Sequence, residues 1–183
     1  MPPPLQPDEP ATGSPDSTEP ADLARLYGPL VFRTAYRLLG DTALAEDVQQ
    51  DVFLRLLETR RTQVASWPAY LVAAATRLAI DVLRRRQRWW GLLPRWKVHV
   101  SSVAPSAEDA GIRAERAAQL RGALGVLSRR EAQCFALRYL EGLDIGEVAA
   151  TLQIKENNVG VILHRARRRL EEQLGGNAEE TLA

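Results

Sequence analysis

A chain of 183 residues, 45% hydrophobic and 26% charged, has the make-up of a soluble protein and room for one domain or two small ones. Its formal charge of +1 hides an asymmetry, because the first twenty residues carry Asp8, Glu9, Asp16 and Glu19 with no Lys or Arg, so the remainder is more basic than the total. The single cysteine, Cys134, excludes a disulfide framework and reads as core filler in a reducing compartment. No apolar run approaches the roughly 18 residues of a membrane span, and the N-terminus lacks the basic-then-apolar pattern of a secretory signal, so a cytoplasmic protein is expected.

Pro2, Pro3, Pro4, Pro7, Pro10, Pro15 and Pro20 crowd residues 1–20 with little that is apolar, which predicts a disordered acidic arm. Leu23, Leu26, Tyr27, Leu30, Val31, Thr34, Ala35, Leu38 and Leu39 then recur at helical spacing, and Gly40 stops that helix. Asp41 stands where an N-cap would, ahead of a second helix through Leu44, Val48, Val52, Phe53, Leu56 and Leu57. A third helix begins near Ser66, takes Pro68 in its first turn, and runs to Leu83. Three such helices can share one core.

A less regular stretch from about Trp89 to Gly111, containing Gly91, Pro94 and Pro105, reads as a linker. Beyond it, Ser128-Arg129-Arg130-Glu131 matches a capping box, and the helix it opens ends at Gly142. Asp144 with Glu147 offers a second such start, for a short helix through Leu152. A longer helix follows from about Glu156 to Leu174, where Gly175 and Gly176 are expected to end it.

Three features point to function. From Ile145 to Ile162 the residues Val148, Leu152, Ile154, Val159 and Ile162 take the apolar offsets of a helix-turn-helix, with Ala149 as the small residue at the crossing; a plain helical hairpin is the bland alternative. The basic run His164-Arg165-Ala166-Arg167-Arg168-Arg169 on the second of these helices favours duplex DNA, since it can neutralise phosphates while the helix start enters a major groove. Arg84, Arg85, Arg86 and Arg88, followed by Trp89 and Trp90 and then Arg95, Trp96 and Lys97, suit a nucleic-acid strand, although tryptophans can equally plug a domain interface, the preferred reading for these. On the acidic second helix, Asp47, Gln50 and Leu54 fall near one stripe with Asp51 beside it, away from the core face, where a second protein could dock. His99 and His164 have no nucleophile or metal-ligand spacing beside them, which argues against an enzyme and calls for no metal or cofactor.

Leu26-Tyr27 through Tyr36-Arg37-Leu38-Leu39-Gly40-Asp41 and on to Ala45-Glu46-Asp47-Val48-Gln49-Gln50-Asp51-Val52-Phe53 closely resembles conserved region two of extracytoplasmic-function sigma factors, in the sigma-70 family. Trp67 to Arg86, with Ala79-Ile80-Asp81, resembles the promoter-melting part of that region. Leu127-Ser128-Arg129-Arg130-Glu131, Leu137-Arg138-Tyr139-Leu140-Glu141-Gly142 and His164-Arg165-Ala166-Arg167 resemble region four. The resemblance spans both helical blocks in order. It implies an all-α, non-enzymatic protein of two small helical domains joined by a flexible linker, which directs RNA polymerase to promoters. The implied layout is an arm over 1–20, region two over 21–88, a linker over 89–112, region four over 113–175 and a tail over 176–183.

The resemblance also implies a division of labour. Asp47, Gln50, Asp51, Phe53 and Leu54 are candidates for binding core RNA polymerase, with a packing role for Phe53 as the alternative. Tyr70, Arg77, Asp81, Arg84, Arg85 and Arg88 are candidates for the minus-ten element of promoter DNA. Asn157, Asn158, His164, Arg165 and Arg168 are candidates for the minus-thirty-five element, and an anti-sigma factor is a further candidate partner. The chain departs from the family pattern at Arg77, where Asn is usual, at Tyr70, a common Trp position, and at Gln153, which replaces the usual turn Gly. Gly160, Val161 and Ile162 occupy recognition-helix positions often filled by hydrogen-bonding side chains. A sigma-like protein that binds an anti-sigma factor or polymerase without reading promoters is the competing reading.

Overall fold

The computed structural model describes residues 19–59, 64–92 and 108–180, and every regular element among them is helical. The expected disordered arm falls almost wholly on residues 1–18, and most of the expected linker on 93–107, outside the described residues.

Helix α1 spans Pro20–Leu39, α2 Thr42–Thr59 and α3 Trp67–Leu92. Pro20 opens α1, where its missing N–H costs no hydrogen bond. Gly40 closes it in the left-handed region (φ 63°), donating its N–H to the Tyr36 carbonyl at 2.8 Å. One residue later the Asp41 carboxylate accepts the Leu44 N–H at 3.1 Å, so the turn predicted from Gly40-Asp41 is built as a stop and a start in succession. Val31, Ala35 and Leu38 of α1, Val48, Val52 and Leu56 of α2, and Leu71, Ala75, Leu78 and Ala79 of α3 are buried in one core.

The second unit contains α4 (Glu108–Val126), α5 (Arg129–Phe135), a π-helical turn (Ala136–Leu140), α6 (Ile145–Leu152) and α7 (Glu156–Glu180). Both capping boxes are formed: Glu131 N–H to Ser128 Oγ at 3.3 Å with Ser128 N–H to Glu131 Oε2 at 3.0 Å, and the equivalent pair between Asp144 and Glu147 at 2.7 Å each. Three differences from the sequence expectation concern helix ends. α3 continues past Arg88 to Leu92, a helix covers Glu108–Val126 although the sequence up to Gly111 predicts irregular chain, and α7 passes Gly175 and Gly176 without stopping. A glycine in a helix costs about 1 kcal/mol relative to Ala but does not forbid the conformation, and Asn177-Ala178-Glu179-Glu180 can carry the helix on.

The two units do not stand apart. Val72 of α3 is buried in a cluster with Cys134, Leu137, Val148, Val159 and Leu163, while Leu124 and Leu127 join the cluster that contains the first unit's core.

Candidate nucleic-acid interface

On α2 the 3.6-residue repeat turns Val48, Val52 and Leu56 inward and leaves Asp47, Gln50, Asp51 and Leu54 exposed on one stripe, with exposed Leu57 continuing it. Neither Asp47 nor Asp51 has an ion pair or hydrogen-bond partner among the described residues. The stripe borders a cleft of about 420 Å3 whose far wall is Val82, Arg85 and Arg86 of α3. Sequence reading grouped Arg86 with the DNA-facing arginines; the fold places it beside the acidic stripe. Phe53 is half-buried and packs against the core, so packing accounts for it and the other four residues make the exposed face.

Along α3 the expected DNA-facing residues divide. Arg77, Arg85 and Arg88 are exposed. Asp81, by contrast, is held in a two-pronged pair by Arg129 of α5, Nε to Oδ1 at 2.8 Å and Nη2 to Oδ2 at 2.7 Å. Arg84 donates to the Leu127 carbonyl. Tyr70, in edge-to-face contact with Trp67, and Arg77 line a cleft of about 490 Å3 closed on its other side by Arg129, Arg130, Gln133, Thr151, Leu152 and Gln153. In the sequence Arg129 and Arg130 stand out only by their place inside a capping box and in the stretch that resembles region four. The side chains of Trp89 and Trp90, with Arg95, Trp96, Lys97 and His99, lie outside the described residues.

The helix-turn-helix is α6, a turn at Gln153–Lys155, and α7. Val148, Ala149, Val159 and Leu163 are buried at the crossing, with Leu152, Ile154 and Ile162 half-buried around it. Gln153 makes the turn with φ 54° and ψ 50°, the left-handed conformation that usually falls to Gly. Its side chain therefore carries strain that Gly would avoid.

Outward from this core α7 presents Asn157, Gly160, Val161, His164, Arg165 and Arg168 on one face, while Val159, Leu163, Ala166 and Leu170 point in. The basic run is not one cluster. Arg169 reaches Glu131 at 2.6 Å, Arg167 lies over the Tyr139 ring and hydrogen-bonds its hydroxyl, and Arg168 pairs with Glu172 at 2.9 Å. That pair, together with its charge, raises the Arg168 guanidinium pKa further. His164 and Arg165 keep no such partner among the described residues and are exposed, as are Asn157 and Asn158.

Burial pushes the Cys134 thiol up to about 11, which suits packing rather than reactivity. Among the described residues no group of three or more His, Cys, Asp and Glu could hold a metal ion, and no helix is long and apolar enough to cross a membrane.

A three-helix unit with an exposed acidic stripe, followed by a helix-turn-helix unit with a polar and basic outer face, is matched by two family profiles in the same order. The profile for sigma-70 region 2 covers residues 23–89 and that for sigma-70 region 4 covers residues 117–170. The chain belongs to the sigma-70 family, and within it to the extracytoplasmic-function sigma factors. It is 32% identical over 162 residues to the extracytoplasmic-function RNA polymerase sigma factor SigE of Mycolicibacterium smegmatis, an alignment covering 87% of this chain and 63% of that protein. With the RNA polymerase sigma-E factor of Streptomyces avermitilis it shares 31% identity over 154 residues, covering 79% and 78%. The solved structure of SigJ from Mycobacterium tuberculosis matches with a TM-score of 0.49 at 26% identity, over 84% of this chain and 53% of that one.

Proposed function

We propose that this chain is a working sigma factor, which binds core RNA polymerase in the cytoplasm, carries it to particular promoters and performs no chemistry of its own. The observation that carries this reading is the coexistence, in one chain, of two outward faces whose charged side chains have no partner among the described residues. One is the α2 stripe of Asp47, Gln50, Asp51 and Leu54; the other is the α7 face of Asn157, His164 and Arg165. The first suits a protein partner, because two carboxylates flanked by exposed Leu54 and Leu57 offer both charge and apolar contact. The second suits the major groove of a minus-thirty-five element, with Arg165 and His164 supplying donors and Asn158 and Arg168 at its margins.

Between them, Tyr70, Arg77, Asp81, Arg84, Arg85 and Arg88 on α3 meet the minus-ten element, an aromatic ring and guanidinium groups being suited to an unpaired strand. An anti-sigma factor would act by covering one of these faces. Adding the full chain to purified core polymerase and sequencing the transcripts it initiates tests the proposal. Transcripts starting at a defined promoter set support it; no initiation above core alone overturns it.

A second reading, a sigma-like protein that binds partners without reading promoters, is favoured by one feature. Gly160 and Val161 sit exposed in the middle of the α7 face and offer no hydrogen-bonding side chain. Arg165→Ala separates the two readings. For a DNA reader it weakens upstream-element binding, by about 1–3 kcal/mol with relaxed sequence preference if the contact is to a base, or uniformly with a salt slope lower by about one if it is to phosphate. Unchanged binding and initiation would favour the second reading.

A further inference from the structure

We infer that the cleft of about 490 Å3 between α3 and α5 is a binding site for a small phosphorylated ligand, a nucleoside monophosphate, separate from the polymerase and promoter contacts proposed above.

Among the described residues Thr34, Thr76, Glu131 and Gln133 are the polar or charged side chains that are buried. Thr34 donates to Glu141, and Glu131 accepts from the Ser128 N–H and from Arg169. The Thr76 hydroxyl has no partner but is enclosed. Gln133 differs from all three. It is 6% exposed, its side-chain amide has no hydrogen-bond partner among the described residues, and it lines the cleft. An unpaired buried amide is disfavoured, and Leu would fill the same space without that cost. A ligand in the cleft with its own donors and acceptors pairs it.

The charge of the cleft selects the ligand's anion. Arg77, Arg129 and Arg130 line it and no carboxylate does. Arg129 is neutralised by Asp81, whose two oxygens it holds at 2.8 and 2.7 Å. Arg77 has no partner among the described residues, and Arg130 donates to the uncharged Leu152 carbonyl at 3.3 Å. Two guanidinium charges are thus left uncompensated, which matches the charge of about −2 on a phosphate monoester and falls short of a triphosphate.

Beside these charges the lining is apolar. Ala73 and Ala74 of α3 contribute only methyl groups, with Leu152 and the Tyr70 ring close by. A planar base has apolar surface to lie on there, while the Gln133 amide offers its edge both a donor and an acceptor. The volume falls within the range of small-molecule sites. The contacts expected of a DNA strand along α3 use exposed Arg77, Arg85 and Arg88, and none of them accounts for a buried amide on α5.

Calorimetric titration of the full chain with AMP, GMP, CMP and UMP, without DNA or polymerase, tests the site; the matching nucleosides and inorganic phosphate are the comparisons. At least one of the four is expected to bind at one site per chain, about tenfold or more tighter than its nucleoside or inorganic phosphate, because phosphate and base contacts both contribute. Gln133→Leu is expected to weaken it about two- to tenfold, the worth of one neutral hydrogen bond, while the thermal midpoint stays level or rises. Arg77→Gln and Arg130→Gln, both at exposed positions, are each expected to weaken it about tenfold or more, as loss of a charge-assisted contact does.

Absence of saturable binding by all four nucleotides overturns the inference, and so does binding no tighter than that of inorganic phosphate, which makes the cleft a generic anion site. Affinity unchanged in Gln133→Leu, or in both arginine variants, puts the ligand elsewhere and overturns it equally. If the nucleotides fail while a single-stranded minus-ten oligonucleotide loses affinity in Gln133→Leu, the cleft belongs to the promoter path instead. Because no step of the titration involves promoter or polymerase, its failure leaves the sigma-factor reading intact.

Discussion

Replacing Gly160 by Ala tests the outer face of α7 in two readouts that move in opposite directions. Gly160 is exposed within α7, and a Cβ added to it meets nothing within 4 Å. The substitution therefore removes only the backbone freedom of glycine, and Gly160→Ala is expected to stabilise the chain by about 1 kcal/mol, a rise of roughly 2–4 °C in the thermal midpoint for a protein of this size. If α7 enters the groove with Gly160 nearest the DNA, the same methyl group weakens upstream-element binding. Gly40→Ala provides the contrast. Gly40 has φ 63° and the Arg121 guanidinium stands 2.6 Å from the new Cβ, so it pays about 1–2 kcal/mol for the left-handed backbone and must displace Arg121 besides. Urea unfolding followed by circular dichroism, with duplex binding measured alongside, reads all of this. A destabilised Gly160→Ala protein would refute the regular, open helix at that position; undiminished duplex binding would refute the close approach.

Gln153→Gly removes the left-handed strain at the turn between α6 and α7, about 1–2 kcal/mol, partly offset by the freer unfolded chain, so a net gain of roughly 0.5–1 kcal/mol is expected in urea unfolding. Glu131 is nearly buried; burial alone would raise its carboxyl pKa, but the Ser128 hydroxyl and N–H and the Arg169 guanidinium outweigh it and hold the pKa below the usual carboxylate value. Its contribution is therefore full above about pH 4.3 and is lost as pH falls through the lower folded value. Glu131→Gln should cost about 1–2 kcal/mol at pH 7, and its urea midpoint should converge with that of the wild type toward pH 3. Asp47→Lys with Asp51→Lys should leave the helical content and thermal midpoint unchanged, because neither side chain has a partner to lose among the described residues, while lowering competitive binding to core polymerase; equal competition would count against the α2 stripe.

What could be read in the sequence was what local rules decide. Gly40-Asp41 and Ser128 to Glu131 each satisfy backbone groups within four residues, so their chemistry is visible without the fold. The face of α2 was likewise legible, because one helical period separates Asp47, Gln50 and Leu54 from Val48 and Val52. α4 was not, since Gly111, Gly122 and Gly125 dilute its periodicity, and the packing of Gly125 beside Gln87 and Leu83 of α3 is a contact that no local pattern records. Among the arginines of α7 the sequence singles out Arg165 and Arg168 as DNA candidates and leaves Arg167 and Arg169 aside, but not what those two hold. Their partners Tyr139 and Glu131 lie 28 and 38 residues away in sequence, and only the packed structure shows that Arg167 and Arg169 brace the unit and that Arg168 pairs with Glu172.

The 26 residues of α3 make a helix about 39 Å long, long enough to serve two cores at once. Leu71, Ala75, Leu78 and Ala79 close the first unit, and Val72 enters the second. Of the side chains assigned to the minus-ten element, Asp81 and Arg84 contact the second unit, whereas Arg77, Arg85 and Arg88 are exposed. Polar contacts join the units as well: Arg129 pairs with Asp81, and Arg37 and Thr34 both donate to Glu141. Arg129 and Arg37 are about half exposed at 59% and 44% of their side-chain surface, where ion pairs are weak and screened by salt. Glu141, at 7%, is different, because removing the partner of a nearly buried charge costs more than removing an exposed one. Arg37→Ala is therefore expected to destabilise the chain more than Arg129→Ala, although Arg129 makes the better two-pronged pair.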